Sequence, residues 1–137
     1  MSKRLVGLLL LASAFGLSAQ TKQVYLHSDD SAVVWKLKPQ AEVKADADAL
    51  CTPGYNTSAW VDAVVPGTAF TAYVNAGLEK DPNFGDNIHQ VDRAKYDRSF
   101  WYRTEFKVPA DFNQELIWLN FNGVNRKAEV YLNGHQL

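Results

Sequence analysis

The chain has 137 residues, 14 basic and 15 acidic side chains, a formal charge of −1, 47% hydrophobic and 12% aromatic residues, and one cysteine. That length holds one domain at most, and the apolar content excludes a disordered chain. Lys and Arg are scattered, with Arg126-Lys127 the longest basic run, so neither nucleic acid nor an anionic membrane is an expected partner.

Lys3 and Arg4 precede an apolar stretch from Leu5 to Leu17 that is too short to span a bilayer comfortably, and residues 1–19 read as a secretory signal. Cleavage is expected after Ala19, with Gly16 as the alternative. Gln20 stands where a lipidated Cys would be required, so no membrane anchor is expected and the protein should be exported, periplasmic or secreted. Lys3 and Arg4 leave with the signal, which makes the mature chain, residues 20–137, slightly more acidic.

Past the signal, apolar residues recur mostly at period two. Val33, Trp35 and Leu37 form the first half-buried strand, and Trp35 reads as core. Residues 38–58 show no clear period and read as a loop with weak strand content. Cys51 lies within it and has no partner for an internal disulfide, so the fold must hold by packing. With no His beside it to activate the thiol, Cys51 reads as a small buried or loop residue. Asn56-Thr57-Ser58 fits a glycosylation sequon, of consequence only in a host that glycosylates exported proteins. Trp60 is expected to pack beneath the Val65-Pro66-Gly67-Thr68 turn. Thr68 is placed to cap a short helix with Phe70, Tyr73 and Val74 on one face and Gly77 as its left-handed stop.

Asp81-Pro82-Asn83-Phe84-Gly85-Asp86-Asn87 follows, combining a fixed torsion at Pro, a permissive Gly and Asx side chains that bond local backbone. It reads as a shaped loop of the kind that presents groups to a ligand or a neighbouring domain. Asp81, Asn83, Gly85 and Asp92 fall at ligand positions of a calcium-loop template, but the template needs an oxygen ligand where Gly85 stands and a Glu where Asp92 stands. His27, His89 and His135 are isolated, so no metal site is expected. Asp92 and Asp97 are expected to fix local backbone or to pair with Arg93 and Arg98.

The second strand alternates Tyr102, Thr104, Phe106 and Val108 with Trp101, Arg103, Glu105 and Lys107. Trp101 therefore faces solvent, a ligand or another domain, and Trp118 carries the same ambiguity opposite Ile117, Leu119 and Phe121. Glu105 and Glu129 read as solvated charges. Further strands are expected at Ile117 to Phe121 and at Ala128 to Leu132, and turn clusters between all of these runs predict an all-β sandwich. Asn133-Gly134 is a strong hairpin signal, yet the chain stops three residues later. The returning strand is therefore expected to lie beyond Leu137, leaving the sandwich incomplete at the C-terminus and the chain an amino-terminal piece of a longer protein.

One combination is specific. Trp60 with Ala63, Val65-Pro66-Gly67-Thr68, Gly77, Asp81-Pro82, Phe84-Gly85-Asp86-Asn87, Trp101-Tyr102-Arg103 with Phe106, Phe121-Asn122-Gly123-Val124-Asn125, Ala128 and Leu132-Asn133-Gly134 occur in one order over residues 60–134. In that register the chain resembles the amino-terminal sugar-binding domain of glycoside hydrolase family 2, in the branch that holds β-mannosidases, exo-β-D-glucosaminidases and endo-β-mannosidases. Residues 20–59 match weakly.

The resemblance implies a jelly-roll, galactose-binding-like β-sandwich, followed by an immunoglobulin-like domain and a catalytic (β/α)8 barrel. It implies retaining hydrolysis of O-glycosyl bonds without a cofactor, by two Glu residues about 5 Å apart on the barrel. The acid of that pair follows an Asn. Glu42, Glu79, Glu105, Glu115 and Glu129 all follow other residues, so no catalytic residue is expected in this chain, which should be inactive alone. The Asp81 to Asn87 loop would lean toward the barrel, with Asp86 or Asn87 bonding sugar hydroxyls or the barrel rim. Trp101 would contact the next domain or, less favoured, a sugar. The partners implied are a carbohydrate substrate and the following domains of the same polypeptide. A free-standing carbohydrate-binding sandwich and an adhesive envelope domain are the alternatives; sequence beyond Leu137 that encodes an immunoglobulin-like region and a barrel strand ending in Asn-Glu would separate them from the enzyme.

Overall fold

Strand β1, Trp35–Pro39, is the middle of a three-stranded antiparallel sheet in the computed structural model, which describes residues 22–112 and 116–137. Its alternation works as the sequence predicts: Val33 and Leu37 are buried, Val34 is exposed, and the Trp35 indole N–H donates to the Leu26 carbonyl at 2.7 Å. After β1, the chain makes a helix, α1, at Ala47–Leu50, where a loop with weak strand content is expected. Asp46 caps it by accepting the Ala49 N–H at 2.9 Å, and Leu50 buries its side chain. Four residues are barely one turn, so no periodicity could announce it; the cap residue was the available signal.

Strand β2, Val61–Asp62, pairs with β1 in the register Lys36↔Asp62 and Leu37↔Val61. The chain then turns through Val65 to Gly67. A Cβ on Gly67 would stand 2.7 Å from the Val64 carbonyl oxygen, so the turn closes only around a residue without one. Helix α2, Ala69–Asn75, follows as predicted. The Thr68 hydroxyl accepts the Thr71 N–H at 3.1 Å. At the other end, Gly77 adopts φ +71° while its N–H donates to Val74 and that of Leu78 to Tyr73, a paired closure of the last carbonyls. The buried face differs from the expected one, since Ala72 is 0% exposed and sits in the core while Val74 is half-buried. A small residue there lets α2 approach the sheet closely.

Strand β3, Phe100–Thr104, pairs with β1 from Trp35↔Thr104 to Pro39↔Phe100. It stops at Thr104, short of the predicted Phe106 and Val108, both of which are exposed. The core is Leu37, Ala63 and Ala72, with Trp35, Val61, Val65, Ala69, Tyr73 and Phe100 packed around it.

Three expectations at the C-terminal end are corrected. The period-two run from Ile117 to Phe121 is not a strand; Trp118 is 79% exposed, Ile117 and Phe121 are exposed as well, and no backbone hydrogen bond joins residues 116–129 to any other among the described residues. Alternation fixes which side chains would share a face, but a strand exists only where its N–H and C=O groups find a ladder. Of the predicted Ala128 to Leu132 strand, only β4, Tyr131–Leu132, forms. The returning strand expected beyond Leu137 is instead present as β5, His135–Gln136, paired Tyr131↔Gln136 and Leu132↔His135, with the Leu137 N–H donating to Val130 at 2.9 Å. Asn133 and Gly134 both have positive φ, 51° and 86°, the combination of a two-residue hairpin turn. Antiparallel sheets with short helices are what an all-β reading anticipates, but the described residues hold one three-stranded sheet and one short hairpin.

Leu37 is wholly enclosed, so Leu37→Ala should destabilise the protein by about 2–5 kcal/mol through lost contact and the cavity left behind. Urea denaturation followed by tryptophan fluorescence measures it, and an unmoved midpoint would contradict the packing described.

Candidate functional site

The stop at Gly77 ejects the chain from α2, and Tyr96 seats it on the same helix again. Both ends of this excursion are fastened at Tyr73. The Tyr73 carbonyl accepts the N–H groups of Leu78 and Glu79 at 2.9 and 3.3 Å, and the Tyr96 ring packs edge-on against the rings of Tyr73 and Phe70 at 5.7 and 5.2 Å. Between these ends, three consecutive residues of the outgoing arm each bond one residue of the returning arm. The Lys95 ammonium donates to Glu79 Oε1 at 2.9 Å, the Lys80 ammonium to Gln90 Oε1 at 3.0 Å, and Asn87 Nδ2 to the Asp81 carbonyl at 2.9 Å. The rungs are nested, like those of a ladder closing toward its tip.

The tip is shaped by its own side chains, as the sequence predicts. Asp81 Oδ1 accepts from the Asn83 backbone N–H at 2.9 Å and from Asn83 Nδ2 at 3.1 Å, the Phe84 N–H returns to the Asp81 carbonyl, and Gly85 takes φ +56°. Phe84 is left 77% exposed. A cleft of about 370 Å³ lies beside the arms, lined by Leu78, Glu79, Lys80, Asn87, Gln90 and Val91 among others. A smaller one of about 260 Å³ runs between α2 and the tip, bounded by Phe70, Val74, Asp81 and Pro82.

Of the residues singled out from sequence, Asp86 and Asn87 lie together at the tip. The Asp86 carboxylate is 79% exposed and stands 3.8 Å from His89 Nε2. Asn87 lines the larger cleft; one N–H of its amide braces Asp81, which leaves its carbonyl oxygen and the second N–H as groups that can face a ligand. Trp101 is elsewhere: on β3, half-buried, with its ring 5.8 Å from that of Tyr131 in the hairpin.

Several charged residues find partners that sequence did not suggest. Asp92 does fix local backbone, accepting the Ala94 N–H at 3.1 Å, whereas Asp97 meets Arg126 at 3.3 Å rather than Arg93 or Arg98. Glu105 is not a free solvated charge. Arg103 Nη2 donates to it at 2.6 Å and the Gly54 N–H at 2.8 Å, and these bonds hold its carboxyl below the usual range. The same guanidinium donates to the Leu50 and Thr52 carbonyls, riveting the segment after α1 to β3. Glu129 pairs with Lys127 at 3.1 Å, and Trp60 packs edge-on against Tyr55 with ring centres 6.2 Å apart.

The residues that sequence reasoning missed are Glu79, Lys95 and Tyr96. Glu79 has only 15% of its side chain exposed. The Lys95 ammonium and then the Tyr96 hydroxyl hold its carboxyl below the ordinary value. The Tyr96 hydroxyl is itself buried without a partner at full hydrogen-bonding geometry, and burial followed by the nearby Glu79 pushes its proton affinity up strongly. The one available signal was a charged residue placed two positions past the helix stop, at Glu79.

Because the folded-state value of Glu79 is depressed, the stabilisation by its bridge is present above the ordinary carboxylate value of 4.5 and is lost as pH falls through the lower folded value. Thermal unfolding across pH 7 to about pH 3 should therefore show a shallower acid loss in Glu79→Gln than in the unaltered protein. Parallel acid limbs would contradict the bridge.

Residues 35–137 match the family described as the glycosyl hydrolase 2 galactose-binding domain-like domain. The chain is 31% identical over its whole length to an exo-beta-D-glucosaminidase of Hypocrea virens, of which it covers 16%, and 32% identical over 75% of its length to one of Streptomyces avermitilis, of which it covers 11%. It is 37% identical over 61% of its length to a mannosylglycoprotein endo-beta-mannosidase of Lilium longiflorum, covering 9% of that protein. The chain thus spans about a sixth or less of the length of these curated relatives. No solved structure matches it significantly. Since the matched region takes in the sheet, the laddered loop and the hairpin together, the chain belongs to glycoside hydrolase family 2, as its galactose-binding-like amino-terminal domain.

Proposed function

We propose that this chain is the amino-terminal sugar-binding domain of an exported retaining β-glycosidase that removes β-linked glucosamine or mannose from glycans. The observation that carries the reading is the family match over residues 35–137, supported by relatives named for β-glucosaminide and β-mannoside hydrolysis. The two catalytic carboxylates belong to a following barrel, about 5 Å apart, one protonating the leaving oxygen and one attacking the anomeric carbon. The role of this domain is to complete the substrate pocket. Its tip offers an exposed carboxylate at Asp86 and an amide oxygen at Asn87, both acceptors for sugar hydroxyls, and acceptors for the ammonium of a glucosaminide. Trp101 and Tyr131 form the face that meets the next domain.

The test uses the complete polypeptide encoded by the gene. It should release p-nitrophenol from the β-D-glucosaminide or the β-D-mannoside, with the β-anomer as first product by proton NMR, while residues 20–137 alone release none. Asp86→Ala with Asn87→Ala should raise KM about tenfold, the loss expected for two hydrogen bonds to a substrate. No turnover of either glycoside, or an α-anomer first product, would contradict the proposal.

A further inference from the structure

We propose that Glu79 is a positioning residue for the tip of the loop, acting through its bridge to Lys95. This rests on the reading of Asp86 and Asn87 as sugar contacts. The argument begins with what does not hold the tip. Among the described residues no sheet pairing crosses the excursion from Glu79 to Lys95, and the Asp86 carboxylate is 79% exposed, 3.8 Å from His89 Nε2. The tip is shaped internally by its own bonds, and where it sits as a unit is set by how the two arms are joined. The rung at Asn87 is confined to the tip, and the Lys80 to Gln90 rung joins a charge only to a neutral amide. The Glu79 rung differs in three ways.

Its side chain is largely covered, with 15% of it exposed. Its backbone N–H is fixed on the Tyr73 carbonyl, so the side chain reaches across from a rigid origin. Its partner Lys95 adjoins Tyr96, whose ring stands edge-on against Phe70 and Tyr73 and whose hydroxyl is buried facing the same carboxylate. Glu79 thus couples the outgoing arm to the one aromatic side chain that seats the returning arm on α2. Neutralising it lets the arms slide relative to each other, and a displacement near 1 Å at a sugar-contacting group weakens binding. Such a loss falls on KM, because the contacts are made equally in the ground and transition states.

The experiment compares variants of the complete enzyme on the chromogenic glycoside it cleaves. Glu79→Gln and Lys95→Gln should each raise KM about threefold to tenfold with kcat within about twofold, and the exchanged pair E79K/K95E should bring KM back. Lys127→Gln, which breaks the surface pair with Glu129 on a separate segment, should leave KM unchanged. An unchanged KM in Glu79→Gln alongside a raised KM in the Asp86 and Asn87 double variant would overturn the positioning role and leave the pocket reading standing. An unchanged KM in that double variant would overturn the pocket reading and this inference with it. A KM that rises in Glu79→Gln but is not restored by the exchanged pair would also overturn it, by assigning Glu79 a purely structural part.

Discussion

Tyr73 is the residue through which the sheet holds the loop. Its ring stands nearly perpendicular to Phe100 of β3 at 6.5 Å and to Tyr96 at 5.7 Å, while its carbonyl takes two N–H groups of the outgoing arm. Edge-to-face aromatic pairs contribute about 0.5–1.5 kcal/mol each beyond area burial, so this side chain carries a large share of a small core. Its position on α2 is fixed in turn by Ala72, whose lack of bulk lets the helix settle against Leu37. The order of dependence runs from β1 through α2 to the loop, and the tip inherits its placement from residues that never approach it.

A second fastening acts on the other face of the sheet. Arg103 leaves β3 to donate to the Leu50 and Thr52 carbonyls and to Glu105, with its guanidinium 5.7 Å from the centre of the Tyr55 ring. Arg can serve here because its planar fork satisfies several acceptors at once and its charge never titrates away. The segment after α1, which has no regular pairing of its own, is held by Arg103 together with Glu105, which accepts the Gly54 N–H. Trp101 lies on the same side and packs against Tyr131, so the hairpin is drawn to this face.

How much of this was legible depended on whether the signal was local. Thr68 and Gly77 announced α2 because a cap and a stop act within one turn, and Asp81 to Asn87 announced a shaped loop because Asx side chains bond neighbouring backbone. Val33, Trp35 and Leu37 announced β1 because the face they mark is in fact buried. The same alternation at Ile117 to Phe121 announced a strand that the described residues do not form, since pattern specifies a face and not a partner. Helix α1 was too short to have a period. Glu79 and Lys95 are far apart in sequence, and only the return of the chain to α2 makes them neighbours. Asn133-Gly134 was read correctly as a turn, and the return expected past Leu137 already begins at His135–Gln136.

The nested ladder has a consequence for how the loop can change. Both arms are anchored at Tyr73, so the excursion begins and ends at nearly one point of the fold. A segment with coincident ends can be lengthened or shortened at its tip for a small and slowly growing entropic cost, without moving the sheet beneath it. Each rung also bounds an interval within which residues can be added while the rung below stays closed. The loop is in that sense a cassette: reach and chemistry can be exchanged at Asn83 to Asp86 while the socket, made of Tyr73, Glu79, Lys95 and Tyr96, stays as it is.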